Sequence, residues 1–154
     1  MGRRVTTGAL ALACIAVCLG VAACTPDAPA SPGTSPTQGP DEAPPTLRPD
    51  GSAADNLPYF DAVNLAVIAA DADAGGRALV DALAAAGFDR AAMQVTADTT
   101  TIGDPADSIQ FAVRFAGECL VGQYGPKSEG YHSAVRPALG TGGCLVGRAR
   151  PIDW

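Results

Sequence analysis

Apolar residues recur along this chain in three different rhythms. Every position over residues 9–23 is apolar or glycine, large apolar residues over 56–88 fall three and four apart, and from Met93 onward they alternate with polar ones. The middle rhythm predicts two helices that open a folded domain. Asn56 can cap the first, with Pro58 in its opening turn and Phe60, Val63 and Val67 at helical spacing. Asp73 is the candidate cap of the second, which carries Leu79, Val80, Leu83 and Ala86 on one side. Gly87 stops it, and Phe88 is placed for the apolar contact that often follows a helix end.

The alternating part predicts strands. Met93, Val95 and Ala97 alternate first, and then Ile109, Phe111, Val113 and Phe115 set four large groups on one face. Ala116-Gly117-Glu118 is a short turn into the partner strand of a hairpin, Cys119-Leu120-Val121-Gly122-Gln123-Tyr124, while residues 99–108 form a loop. Residues 131–139 read as a turn or so of helix that Pro137 cuts short. Gly140-Thr141-Gly142-Gly143 then leads to an expected last strand, Cys144-Leu145-Val146-Gly147-Arg148. The whole pattern is α+β: two N-terminal helices packed on a small, mainly antiparallel sheet of about four strands, with one disulfide.

The first rhythm is a leader. Arg3 and Arg4 precede the apolar run, and Val21-Ala22-Ala23-Cys24 closes it like a bacterial lipobox. The run is shorter than the ~20 residues a spanning helix needs, so a cleaved signal over 1–23 is expected in place of an uncleaved transmembrane anchor. The residues that usually surround a twin-arginine export pair are missing, which leaves general secretion. Cys24 is the expected lipidation site. A single acyl chain, at ~0.8 kcal/mol per buried methylene, anchors only marginally, and a diacylglyceryl cysteine supplies two.

Residues 24–55 form the expected lipid-anchored linker. Nine of the 13 prolines fall in residues 25–58, among Ser, Thr, Gly and acids. With almost no large apolar side chains, such a segment cannot offset its ordering entropy. Proline stiffens it toward extended polyproline II, so it reads as a semi-rigid tether and an O-glycosylation candidate.

The globular domain, residues 56–154, suits one small unit of about a hundred residues. Net charge is −6, and becomes −8 once Arg3 and Arg4 leave with the leader. An acidic surface argues against nucleic acid and against electrostatic docking on anionic lipid. Cys119 and Cys144, each opening a Cys-Leu-Val-Gly tetrapeptide, are the only cysteines of the mature domain. In an oxidising compartment they are expected to pair, with a loop of roughly 25 residues giving about 3–4 kcal/mol. Without Cys-x-x-Cys spacing, a redox-active pair is the weaker reading. Both parallel and antiparallel pairing of the two cysteine strands stay open.

Catalytic patterns are sparse. Asp71-Ala-Asp73-Ala-Gly75-Gly76 begins like a calcium loop, but Gly75, Leu79 and Ala82 stand where later ligands belong. Residues 140–147 are glycine-rich yet match neither a P-loop nor a dinucleotide fingerprint. His132 is the single histidine, and a triad with Ser128 or Ser133 can be drawn only on paper, with no Gly-x-Ser-x-Gly or Ser-x-x-Lys. No cofactor or metal pattern is present. Tyr124, Tyr131, His132, Arg136, Arg148 and Trp154 form a candidate binding patch near strand ends, with the alternative that Trp154 folds back onto the core and leaves the arginines solvated.

Ser108-Ile-Gln-Phe-Ala-Val-Arg114, Glu118-Cys-Leu-Val-Gly-Gln-Tyr124 and Arg150-Pro-Ile-Asp-Trp154 carry a resemblance. Over residues 57–154, with the leader and spacer, the chain resembles a family of uncharacterised actinobacterial lipoproteins that carry a domain of unknown function. The resemblance implies an actinobacterial envelope and offers no catalytic residues. The expected role is a binding or accessory module on the extracytoplasmic face of the membrane, held by lipid on Cys24, whose partner is an envelope protein or cell-wall polymer. The alternative is a small envelope hydrolase using His132. A two-lobed solute-binding protein does not fit one domain of this size.

Overall fold

The computed structural model describes residues 43–154, so the leader, Cys24 and the linker up to residue 42 lie outside the described residues. Helix α1, Ala53–Ala70, starts three residues before the expected cap. Ser52 is the cap: its Oγ accepts the Asp55 amide at 3.1 Å, and Asp55 Oδ2 accepts the Ser52 amide at 2.9 Å. That reciprocal pair is a capping box with Asp in place of Glu. Asn56 is buried one turn further in and binds the chain that precedes the helix. Its Oδ1 accepts the Arg48 amide at 2.7 Å, and its Nδ2 donates to the Arg48 and Ser52 carbonyls, both at 2.9 Å. With Leu47 packed against the core as well, the folded part begins before the expected boundary at 56. Pro58 falls in the second turn and is exposed, where the carbonyl it leaves unpaired can meet water.

Helix α2, Gly76–Ala85, ends as its sequence predicts. Gly87 adopts φ +98°, the Phe88 amide donates to Leu83 O and the Gly87 amide to Ala84 O, both at 3.1 Å. Those are the two bonds of a Schellman ending. Its start is a correction: Asp73 does not cap it. The Asp73 amide instead donates to Asp71 Oδ1 at 2.9 Å within the interhelical turn, and α2 begins after Gly75 with no side-chain cap of its own.

After a 3-10 turn, Arg90–Ala92, the sheet follows as β1 (Met93–Val95), β2 (Ile109–Phe115), β3 (Glu118–Tyr124) and β4 (His132–Pro137). The strands lie in chain order and every pair is antiparallel. The α+β class and four-stranded sheet stand as expected, but the fourth strand comes from another segment. Residues expected to make a helical turn form β4, and Cys144–Arg148 is not a strand. Gly147 at φ +97° and a side chain that occupies the Cys144 and Leu145 amides keep that segment out of the sheet. Cys119 and Cys144 do form the disulfide, with their Cα atoms 5.6 Å apart. The bond therefore ties β3 to a loop, not strand to strand.

The main core lies between the helices and one sheet face. Phe60, Leu79, Val80 and Leu83 meet Val95, Phe111, Val113 and Leu120, with Phe60 5.9 Å from Phe111 and 6.0 Å from Phe88. A smaller cluster on the other face joins Ala112 and Cys119 to Cys144 and Leu145.

Candidate functional site

Strand alternation sorts the predicted patch onto different surfaces. Tyr124, Tyr131 and Trp154 pack against the main core on the helix side. The Tyr124 hydroxyl donates to the Ala72 carbonyl at 2.7 Å, between the helices. Tyr131 stacks on Phe111 at 6.5 Å and donates to Asp61 Oδ1 at 2.8 Å while accepting from Asn64 Nδ2 at 3.3 Å. Burial, then the bond to Asp61, pushes its phenol well above the usual tyrosine range. Trp154 folds back on α2, its Nε1 donating to Asp81 Oδ1 at 2.9 Å, with the Arg150 and Arg77 guanidinium groups 4.7 and 5.6 Å from its ring centre. Trp154 thus folds back as in the alternative, and Arg136 and Arg148 are exposed, whereas the neighbouring Arg150 is packed and paired with Asp98.

His132 and Arg136 lie on the opposite face. There the register sets three cross-strand rows: Gln110, Gln123 and His132; Gln94, Ala112, Val121 and Ala134; and Arg114, Cys119 and Arg136. No row contains an acid. A shallow cleft of about 250 Å³ runs along β3 and β4 over Val121 and Ala134, with Gln123, His132 and Arg136 at its margins. His132 Nε2 sits 2.7 Å from the Ser128 carbonyl, an acceptor, so that nitrogen carries the hydrogen. Ser128 Oγ lies 2.8 and 2.7 Å from the Gly125 and Gly130 carbonyls, which compete for its one hydrogen, and does not meet the ring.

A larger cleft, about 410 Å³, opens on the same face between the 3-10 turn, β1, β2 and the disulfide loop. Sequence reasoning missed it because it draws on three separate stretches: Asp89–Gln94, Arg114 and Gly142–Cys144. Gln94 builds its floor. Its Oε1 accepts the Cys144 amide at 2.5 Å and the Leu145 amide at 3.1 Å, so one side chain replaces the strand partner those amides lack. The glycine run forms a tight turn, with Gly142 N donating to Leu139 O at 2.7 Å and Leu139 N to Gly143 O at 2.8 Å. Among the described residues, no group of three or more His, Cys, Asp or Glu side chains could hold a metal ion.

Residues 64–148 match the model of a family described as a domain of unknown function, DUF6993. The chain belongs to this family. No curated protein and no solved structure matches it. The DUF6993 span takes in the whole sheet, the disulfide and every residue lining both clefts, and leaves out the Ser52 cap and Trp154. The signal that could have located the larger cleft was the glycine run beside Cys144, because close backbone approach to a polar side chain is one reason for glycine.

Proposed function

We propose that this protein is an actinobacterial envelope lipoprotein, a lipid-anchored binding or accessory module on the extracytoplasmic face of the membrane. The leader supports this: Arg3 and Arg4, the apolar run and Val21-Ala22-Ala23-Cys24 have the pattern of a lipobox, in which Cys24 is the residue that would take the lipid. The proline-rich stretch then serves as a tether that lifts the domain off the bilayer. The Cys119–Cys144 bond agrees with an oxidising compartment.

The observation that carries the binding role is the disulfide face, where two clefts adjoin three side-chain rows free of acids. An envelope protein or cell-wall polymer is the proposed partner. The hydrolase alternative through His132 gains no support from the geometry, since the ring meets a carbonyl and the neighbouring serine hydroxyl is turned to other carbonyls.

Replacing Cys24 with Ser and fractionating cells tests the anchor; the variant is expected to lose its acyl label and leave the membrane fraction. A variant still acylated and membrane-bound refutes it. Crosslinking in intact envelopes tests the binding role. A defined partner is expected, and its recovery should fall when Val121→Asp is introduced on the floor of the shallow cleft; recovery of no partner counts against the role.

A further inference from the structure

We propose that the larger cleft binds a small zwitterion of amino-acid to dipeptide size, with its carboxylate at Arg114 and Gln94 and its ammonium at Asp89. The inference rests on the binding role above and names the ligand class. About 410 Å³ is on the scale of small-ligand sites, commonly ~300–1,000 Å³.

The walls are fixed by three separate devices. The disulfide pins Cys144 to β3, Gln94 clamps two successive amides, and the turn at residues 139–143 uses Gly142 at φ +82°. Side chains would close the space: a Cβ on Gly143 would stand 3.3 Å from both Gln94 Nε2 and Oε1, and one on Gly142 would stand 3.7 Å from Arg114 Nη1.

The charges are what select the ligand. Arg114 and Asp89 line one cleft, yet they form no ion pair with each other or with any other described residue. Of the eight cations among the described residues, Arg77, Arg90, Lys127 and Arg150 are ion-paired and Arg48, Arg114, Arg136 and Arg148 are not; of the latter four, Arg114 alone lines this cleft. Arg114 stands on a central strand and Asp89 accepts the Ala91 amide at 2.9 Å; both side chains are exposed, so a ligand can reach each of them. Because Gln94 Oε1 is fully used by two amides, the orientation of its amide is set and Nε2 is a fixed donor with no protein acceptor among the described residues. A guanidinium and an amide N–H make a carboxylate site. An anion alone would be opposed by Asp89 and a cation alone by Arg114, whereas a zwitterion satisfies both walls.

The test titrates the ¹⁵N-labelled full chain in detergent micelles with Ala-Ala, N-acetyl-Ala-Ala and Ala-Ala amide. Ala-Ala is expected to move the Gln94 side-chain, Gly142 and Gly143 resonances, and each blocked form should bind about tenfold more weakly. Asp89→Asn keeps an oxygen for the Ala91 amide, so the fold is retained; it should abolish discrimination against the acetylated form alone. Arg114→Gln should abolish discrimination against the amide alone. The proposal is overturned if those resonances stay still up to the solubility of the dipeptide, or if the variants leave both preferences unchanged. If envelope crosslinking still captures a partner that Val121→Asp disrupts while the dipeptide has no effect, the ligand assignment falls and the binding role stands. Failure of both removes both.

Discussion

Asp98 caps a helix that starts 22 residues before it: its Oδ1 accepts the Gly76 amide at 2.6 Å. Its Oδ2 pairs with Arg150 Nη1 at 3.0 Å, so one carboxylate joins α2, the loop after β1 and the C-terminal segment. Asp98→Ala should lower stability by about 1–2 kcal/mol, and Asp98→Asn by less because an acceptor remains. Urea unfolding monitored by circular dichroism measures the order of these variants.

Gly76 itself reverses a common rule. Alanine usually favours a helix interior over glycine by about 1 kcal/mol. Here a Cβ would lie 2.6 Å from Val95 Cγ2 and 3.1 Å from Asp98 Oδ1. Gly76→Ala is therefore expected to destabilise the domain, by about 1–3 kcal/mol. A melting temperature at or above that of the wild type would contradict the packing.

The two Cys-Leu-Val-Gly tetrapeptides need their glycines for different reasons. A Cβ on Gly122 would stand only 2.4 Å from the Phe111 ring, whereas one on Gly147 meets nothing within 4 Å, but the backbone there has φ +97°. Gly122→Ala should displace Phe111 from the core and cost at least about 1–3 kcal/mol. Gly147→Ala should cost about 1–2 kcal/mol through its left-handed backbone alone, with an unchanged aromatic circular dichroism spectrum.

The β2–β3 hairpin carries strain that a substitution can relieve. Phe115 pairs with Glu118 across a two-residue turn in which Ala116 has φ +48° and Gly117 φ +85°. Positive φ at both places defines the turn that favours Asn-Gly. Ala116→Asn should raise stability by about 0.5–1 kcal/mol, read as a higher urea midpoint at unchanged slope.

Acid should unfold the domain partly through Asp81. Its carboxylate receives Arg90 Nη2 at 2.6 Å and Trp154 Nε1 at 2.9 Å, and these bonds, the one from Arg90 first, hold it below the ordinary carboxylate range. The unfolded chain takes up this proton near pH ~3.9, before the folded one does. The stabilisation is thus present above that pH and lost as pH falls through the folded value. Asp81→Asn should melt lower at pH 7 and show a shallower fall between about pH 5 and 2. Asp55, held low by its bonds from Ser52, keeps part of that slope in the variant.

What could be read along the chain was what residues a few places apart decide. The 3.6-residue spacing of Leu79, Val80 and Leu83, the stop at Gly87–Phe88 and the alternation from Ile109 to Phe115 each follow from local backbone geometry. The disulfide was legible because only two cysteines were left to pair. Ser52 and Asp55, at capping-box spacing, carry a local signal as well, with Asp where Glu is usual and a second cap-type residue, Asn56, directly after it.

Tertiary structure decided the rest, because the partners involved are far apart in sequence. Residues 132–137 became the fourth strand because β3 pairs with them, and Gln94 took the amides of Cys144 and Leu145. Alternation across the sheet then parted Tyr124 and Tyr131 from His132 and Arg136. Composition and periodicity determined an α+β class and one cross-link. Which side chains share a cleft followed only from strand register and a pinned loop, which bring Asp89, Gln94, Arg114 and Gly143 together across the fold.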